Sequence, residues 1–148
     1  MFTAYKNLPN NSRLWIYQSD RAFSQKEVSY ISIKSEEFIN QWTRHGDDLK
    51  GSFIIKYNQF LVFAVDEIFN TVSGCSIDSS VRFIKELERA LNVDLMDKMN
   101  ITFRDNDCIR SVKLFNFQQF VKEHTVTSET IVFNNMVNTK AAFELHWE

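Results

Sequence analysis

The sequence contains little glycine and proline, with 3 Gly and 1 Pro among its 148 residues. Flexible linkers depend on these residue types, so their scarcity argues against long linkers and low-complexity segments. The length is that of one domain with a substantial core. We therefore expect a single α+β domain over residues 1–148, in which only the polar stretch of residues 1–12 is loosely ordered.

The chain also lacks an excess of charge of either sign. It has 17 Lys and Arg against 19 Asp and Glu, for a net charge of −2. A protein that binds nucleic acid normally has a basic patch or a high isoelectric point, so we expect no nucleic-acid partner.

Long hydrophobic runs are missing as well. The longest, residues 60–65, is far too short to cross a membrane. Residues 1–15 contain a lone Lys6 and no apolar core of a secretory signal. We expect a cytoplasmic protein without a membrane partner.

Cysteine is scarce, with Cys75 and Cys108 as the two examples. Two cysteines do not make a disulfide framework, and no His or Cys spacing typical of zinc sites occurs. We expect reduced thiols, no cofactor and no metal.

The sequence is rich in aromatic residues, with 14 Phe, 4 Tyr and 3 Trp. This content predicts a tightly packed core that includes Trp15 and Trp42. A capping box formed by Ser24 and Glu27 predicts the start of a first helix, and Gly46 is expected to end it. Hydrophobic periodicity and turn residues predict these elements: strand 14–17, helix 24–46, strands 51–57 and 60–65, helix 76–92, strands 101–105 and 108–115, helix 117–124, strand 130–133 and a helix from 139.

The order β-α-β-β-α-β over residues 13–104 is typical of a ferredoxin-like fold. We expect a two-layer α+β sandwich, extended by a C-terminal hairpin, a further strand and short helices. We also expect the first and third strands to be parallel neighbours, so that their carboxyl ends meet at one edge of the sheet.

That edge is where the sequence predicts a site. Gln18, Asp20 and Arg21 would lie beside Asp66 and Glu67, below the start of a helix. Ligands of such sheets bind outside the carboxyl ends of strands and beside helix N-termini, and an arginine there suits a small anion. The predicted ligand-binding residues are Gln18, Asp20, Arg21, Ser73, Cys75, Ser76 and Asp78. Asp78, Ser79 and Ser76 are also competent N-caps, which is the commoner role for such residues.

Several stretches resemble those of a small uncharacterised bacterial family that often carries an automated "ABC transporter ATPase" label. They are "IYQSDR", "WTRHG", "FLVFAVDE" and "SGCSIDSSV". The resemblance supplies this label and no mechanism. The label implies nucleotide hydrolysis, and "LVFAVDE" matches a Walker B strand. The spacing of Gly46 and Gly51 matches a P-loop, but Ser52 and Phe53 stand where a P-loop needs Lys and Ser or Thr. This segment also follows a predicted helix and opens a strand, the reverse of a P-loop. We therefore reject ATP hydrolysis of this type.

Three classes of function remain open. The first is a small-ligand, anion-binding or regulatory module with its polar pocket at the predicted sheet edge. The second is a small enzyme of unknown reaction that uses Cys75, whose thiolate a helix start would favour, or the carboxylates of Asp66 and Glu67. The third is a structural protein, such as a homo-oligomer, whose Phe-rich surface forms an interface.

Overall fold

The computed structural model describes residues 1–148 and has an α+β architecture. Its elements are, in chain order, a 3-10 turn at Tyr5–Asn7, β1 Arg13–Gln18, α1 Gln25–Gln41, β2 Thr43–Arg44, β3 Asp47–Asp48, β4 Gly51–Lys56, β5 Phe60–Val65, α2 Gly74–Leu91, β6 Asn100–Asp105, β7 Cys108–Lys113, α3 Leu114–Lys122 and α4 Lys140–His146. None of the helices is both long and apolar enough to cross a membrane.

The main sheet has three strands in the order β1-β5-β4, and both pairings are antiparallel. β5 lies in the centre because all six of its residues are apolar, and all six are buried. Two further pairs, β2-β3 and β6-β7, form separate hairpins. The β6-β7 hairpin confirms the sequence prediction for this region, whereas the strand predicted at residues 130–133 is reduced to one bridge between Phe103 and Val132.

The predicted parallel pairing of the first and third strands is wrong, since β1 and β5 are antiparallel. The helix α1 brings the chain back so that β1 and β4 run in the same direction. A tight turn then joins β4 to β5, with Tyr57 and Asn58 both at positive φ, and a hairpin of this kind makes its two strands antiparallel. β5 lies between β4 and β1 and is therefore antiparallel to both. The fourth strand of the predicted order, β6, does not join this sheet.

Both faces of the main sheet are covered, so the predicted two layers are three. On one face, α1 and α2 pack on Leu61 and Phe63 through Ile31 and Ile84. On the other face, the N-terminal turn, the segment after α3 and α4 pack on alternate residues of the same strands. This cluster comprises Leu8, Leu14, Phe60, Val62, Ala64, Phe133, Phe143 and Trp147. We call the two sides the helix face and the C-terminal face.

The helix ends differ in detail from the sequence prediction. The capping box of Ser24 and Glu27 is confirmed at the start of α1. α1 stops at Gln41, and Gly46 (φ +86) lies instead in the turn between β2 and β3. α2 begins at Gly74 with Ser73 as its N-cap, so Asp78 lies inside the helix and is not a cap.

Residues 1–12 are packed against the rest of the chain, in contrast to the loosely ordered stretch expected. Phe2 forms a bridge with Gly51 at the edge of β4. Leu8 and Ser12 are both buried. The apolar residues Phe2, Tyr5 and Leu8 in this polar stretch supply the contacts that order it.

Candidate functional site

The residues of the predicted site lie at opposite ends of the main sheet. Gln18 at the end of β1 is opposite Phe60 at the start of β5, whereas Asp66 follows the far end of β5. A strand of six residues spans about 20 Å, so Asp20 and Arg21 are roughly that far from Asp66 and Glu67. The structure does not bring these two groups together.

Arg21 is engaged in contacts that join two helices. Its guanidinium donates to both carboxylate oxygens of Glu27 at 2.8 and 2.7 Å and to the carbonyl oxygen of Leu91 at 2.7 Å. The hydrogen bonds from Arg21, together with one from the N–H of Ser24, lower the pKa of Glu27 to about 2. Asp20 accepts from the N–H of Asp94 at 3.1 Å. The arginine that was expected to bind an anion thus ties the start of α1 to the end of α2.

At the other end of the sheet, the two carboxylates hold a loop. Asp66 is buried and accepts from the N–H groups of Ile68 and Phe69 at 3.0 and 3.3 Å. Glu67 accepts from the N–H of Val72 at 3.2 Å. These contacts shape the connection from β5 to α2 and satisfy the carboxylates.

The start of α2 is closed by its own serines. Ser73 accepts from the N–H of Ser76, and Ser76 in turn donates to the carbonyl oxygen of Thr43 at 2.9 Å. Cys75 is an exposed residue in the first turn of α2, and Asp78 is exposed one turn further on. Cys108 is also exposed, at the start of β7. No cluster of His, Cys, Asp and Glu able to hold a metal ion occurs.

The aromatic residues are mostly inside the protein. Of the 14 Phe, only Phe69 and Phe115 are exposed, and they lie on separate elements. The Phe-rich surface expected of an oligomer interface is therefore not seen in the structure.

A different feature forms the best candidate site. A cavity of about 500 Å³ lies between the outer edge of β1 and the β6-β7 hairpin. It is lined by three segments, Ile16 to Gln18 of β1, residues 95–98 with 100–102, and residues 132–136. We call it the wedge cavity.

A network of neutral polar side chains forms the floor of the wedge cavity. Gln18 is buried, and its amide nitrogen donates to the carbonyl oxygen of Asn100. Its amide oxygen accepts from Thr102 at 2.9 Å and from Asn135 at 2.8 Å. Asn135 in turn accepts from the indole N–H of Trp147 at 2.9 Å. These bonds connect β1, β6 and the C-terminal segment.

One polar group of this floor has no partner. Asn100 is one of the lining residues, and its buried Nδ2 makes no hydrogen bond within the protein. A buried donor without a partner costs about 1–3 kcal/mol.

The charges around the wedge cavity are few and largely compensated. Asp97 binds the ammonium group of Lys113 at 2.5 Å, and this hydrogen bond lowers the pKa of Asp97. Lys98 is exposed on the rim. The interior surface is therefore neutral and combines amide groups with aliphatic side chains.

Sequence reasoning identified one residue of this floor, Gln18, and missed Asn100, Thr102 and Asn135. The available signal was weak. Asn100 and Thr102 alternate with apolar residues in a short strand, and two asparagines, Asn134 and Asn135, follow directly on the buried Phe133. Polar residues in such positions are common in turns.

Comparison with known proteins adds no further assignment. No protein-family model, no curated protein and no solved structure matches the chain. The resemblance to the small bacterial family therefore stays a prediction.

Proposed function

We propose that this protein is a non-catalytic binding module that takes a small uncharged ligand in the wedge cavity. Such a ligand has an apolar body and an amide or a similar group that both donates and accepts hydrogen bonds. The observation that carries the proposal is the cavity of about 500 Å³ whose floor is the neutral hydrogen-bond network of Gln18, Thr102 and Asn135. A cytoplasmic location stays a prediction from the two unpaired cysteines.

The shape and chemistry of the cavity suit such a ligand. Small-molecule sites are concave, mostly apolar and typically 300–1,000 Å³ in volume, with few polar groups that fix orientation. The cavity of about 500 Å³ lies in this range. Ile16, Leu95, Ile101 and Val132 provide aliphatic surface around the amide floor.

Binding is favoured over catalysis because the cavity offers no activated group. Its titratable lining residues are Tyr17, Asp97 and Lys98. Burial raises the pKa of Tyr17, so its hydroxyl stays neutral, and Asp97 is paired with Lys113. Cys75, Asp66 and Glu67 lie outside the cavity. An anion is also disfavoured, since Arg21 is bound to Glu27 and no arginine lines the cavity.

The proposal is tested with two probes of equal shape, hexanamide and hexanoate. In a titration followed by ¹H–¹⁵N NMR, we expect hexanamide to shift the backbone amide of Ile16 and the side-chain amides of Gln18 and Asn100 in a saturable way. Hexanoate should bind more weakly, because the floor of the cavity is uncharged and the one cationic lining residue, Lys98, is exposed on the rim.

The matched variants are Ile101→Trp, which narrows the cavity, and Ile131→Trp, whose residue is exposed and outside the lining. We expect the first to weaken hexanamide binding and the second to leave it unchanged. Equal binding of both probes, or shifts confined to residues 73–78, would contradict the proposal.

A further inference from the structure

The outer edge of β1 is hydrogen-bonded at its two ends and open between them. The N–H of Leu14 donates to the carbonyl oxygen of Asn138 at 3.0 Å, and the N–H of Asp20 donates to that of Asp94 at 3.2 Å. In an antiparallel ladder, alternate residues direct both backbone groups to the same side. Ile16 lies in the same alternation as Leu14 and Asp20, so its N–H and C=O point away from β5. Neither group has a hydrogen-bond partner in the protein.

The open part of this edge is a wall of the wedge cavity, since Ile16 and Gln18 both line it. From Leu14 to Asp20 the edge spans about 20 Å. The segments at Asn138 and Asp94 occupy its two ends, so the middle has room for an extended chain of about three residues.

We propose that the ligand of the wedge cavity is an extended peptide segment that adds a short strand to the outer edge of β1. This inference rests on the proposed function and names its ligand class. A strand that joins a sheet edge binds through main-chain hydrogen bonds, and pockets for alternate side chains add selectivity. The unpartnered N–H and C=O of Ile16 match the acceptor and donor of one residue of such a strand.

The other lining residues of the wedge cavity also match the chemistry of a peptide. Peptide groups are neutral amides, as is the side chain of Gln18 at the floor. Ile101 and Val132 can pack against aliphatic side chains of the peptide. The element order also favours this position, because a crossover through α2 would bring the next strand to the free edge of β1. The strand that follows α2, β6, pairs with β7 instead.

The opposite edge of the sheet provides an internal control. On β4 the N–H of Ile55 also points away from β5, by the same alternation as Gly51, whose carbonyl accepts from Thr3. No segment of the wedge cavity lies beside Ile55. The two edges thus differ in the surrounding walls and not in their free backbone groups.

The test uses acetyl-Val-Ala-Val-N-methylamide and an analogue methylated on each peptide nitrogen, which keeps the side chains but cannot donate to β1. In ¹H–¹⁵N NMR titrations we expect the unmethylated peptide to shift Ile16 and Gln18. Loss of hydrogen bonds to a desolvated edge should weaken binding of the methylated analogue about tenfold or more. This comparison requires no change in the protein.

Protein variants locate the added strand. Ile16→Pro removes the outward N–H of β1, a substitution that edge strands tolerate, and should weaken peptide binding by about tenfold. Ile16→Val, which keeps the N–H and most of the side chain, should weaken binding much less than Ile16→Pro, and Ile55→Pro should leave binding unchanged. If hexanamide binds in the cavity and the peptide does not, the peptide inference fails and the proposed function stands. If neither binds, both fail. Equal binding of the methylated analogue, or loss of binding with Ile55→Pro, also overturns the inference.

Discussion

The two faces of the main sheet are held by different kinds of contact. On the helix face, Phe38, Trp42, Phe63 and Phe83 form a continuous aromatic cluster with ring centroids 4.7–6.2 Å apart. On the C-terminal face, Phe60, Phe133 and Trp147 also pack closely. This layer differs in that buried side chains, notably Lys140 and Gln18, make hydrogen bonds to the backbone within it.

The difference explains where a site can form. Aromatic side chains that pack around a helical layer fill the space between the helices and the sheet, and they leave little room for a ligand. The C-terminal layer combines the short helix α4 with an irregular segment, and directional hydrogen bonds position the part of that segment next to β1, so it can stand away from the edge of β1. The wedge cavity lies where this layer and the β6-β7 hairpin diverge from the sheet.

The largest loss of stability should come from disrupting the aromatic cluster of the helix face. Trp42 is 2% exposed, and its indole N–H donates to the carbonyl oxygen of Ser76 at 2.8 Å. Trp42→Ala should lower the free energy of unfolding by about 3–5 kcal/mol. Trp15→Ala should cost less, because Trp15 is only half-buried. Urea denaturation gives both values, and a Trp15 variant less stable than the Trp42 variant would contradict this ranking.

The next largest loss of stability should come from removing buried hydrogen bonds on the C-terminal face. The ammonium group of Lys140 is bonded to the carbonyl oxygens of Tyr5 and Leu8 at 3.2 and 2.8 Å, and the residue is buried. Lys140→Met leaves these carbonyls unpaired and should cost about 1–3 kcal/mol. It should also speed hydrogen exchange in residues 5–8.

The control for this variant is Lys85→Met on the exposed side of α2. Surface changes of this kind usually shift stability by less than about 0.5 kcal/mol. An equal loss of stability in the two variants would show that the removed charge, and not the hydrogen bonds of Lys140 to the N-terminal turn, is responsible.

A smaller effect should come from the cap of α2. Ser73 accepts from the N–H of Ser76 at 3.2 Å, so Ser73→Ala should cost about 1 kcal/mol. Asp78 is exposed within the helix, and Asp78→Ala should change stability by less than about 0.5 kcal/mol. Thermal unfolding of the two variants decides between the observed cap and the one predicted from the sequence.

A further effect should be the pH dependence from Glu27, which is limited to about 1 kcal/mol or less because solvent screens its pair with the half-exposed Arg21. Its pKa is lowered to about 2 in the folded protein, chiefly by the hydrogen bonds from Arg21, against an ordinary value of about 4.3. A carboxylate with a lowered folded pKa stabilises the protein above its unfolded pKa and loses that contribution as the pH falls through the folded value.

We therefore expect the wild type to lose stability between about pH 4.3 and pH 2 more steeply than Glu27→Gln does. Urea denaturation across this range provides the test. Parallel curves for the two proteins would show that the Arg21–Glu27 pair does not contribute.

The sequence predicted most local features of this fold correctly. The capping box of Ser24 and Glu27, the hairpin turn near Asn58 and the hairpin around Asn106 depend on neighbouring residues, and their signals lie within a few positions. The buried β5 was also recognisable, because six consecutive apolar residues that follow turn residues are typical of a strand buried on both faces.

The pairing of β1 and the site require more than local patterns. The apolar pattern of β1 is the same for parallel and antiparallel pairing with β5, whereas the predicted order of elements implies antiparallel pairing, because the crossover helix makes β1 and β4 parallel and the hairpin reverses β5. The wedge cavity depends on Gln18, Asn100 and Asn135, which are up to 117 positions apart and meet only through tertiary packing. Polar residues that join distant segments carry no periodic signal.

The most direct test of this account is hydrogen exchange at the backbone amides of β1 in the free protein. The N–H groups of Trp15 and Tyr17 face β5, whereas those of Ile16 and Gln18 face the wedge cavity. We expect Trp15 and Tyr17 to exchange as slowly as the core of β5, and Ile16 and Gln18 to exchange nearly as fast as exposed loop amides. Uniform slow exchange along residues 15–18 would contradict the account, because it would mean that the outer edge of β1 is already paired and has no place for a ligand.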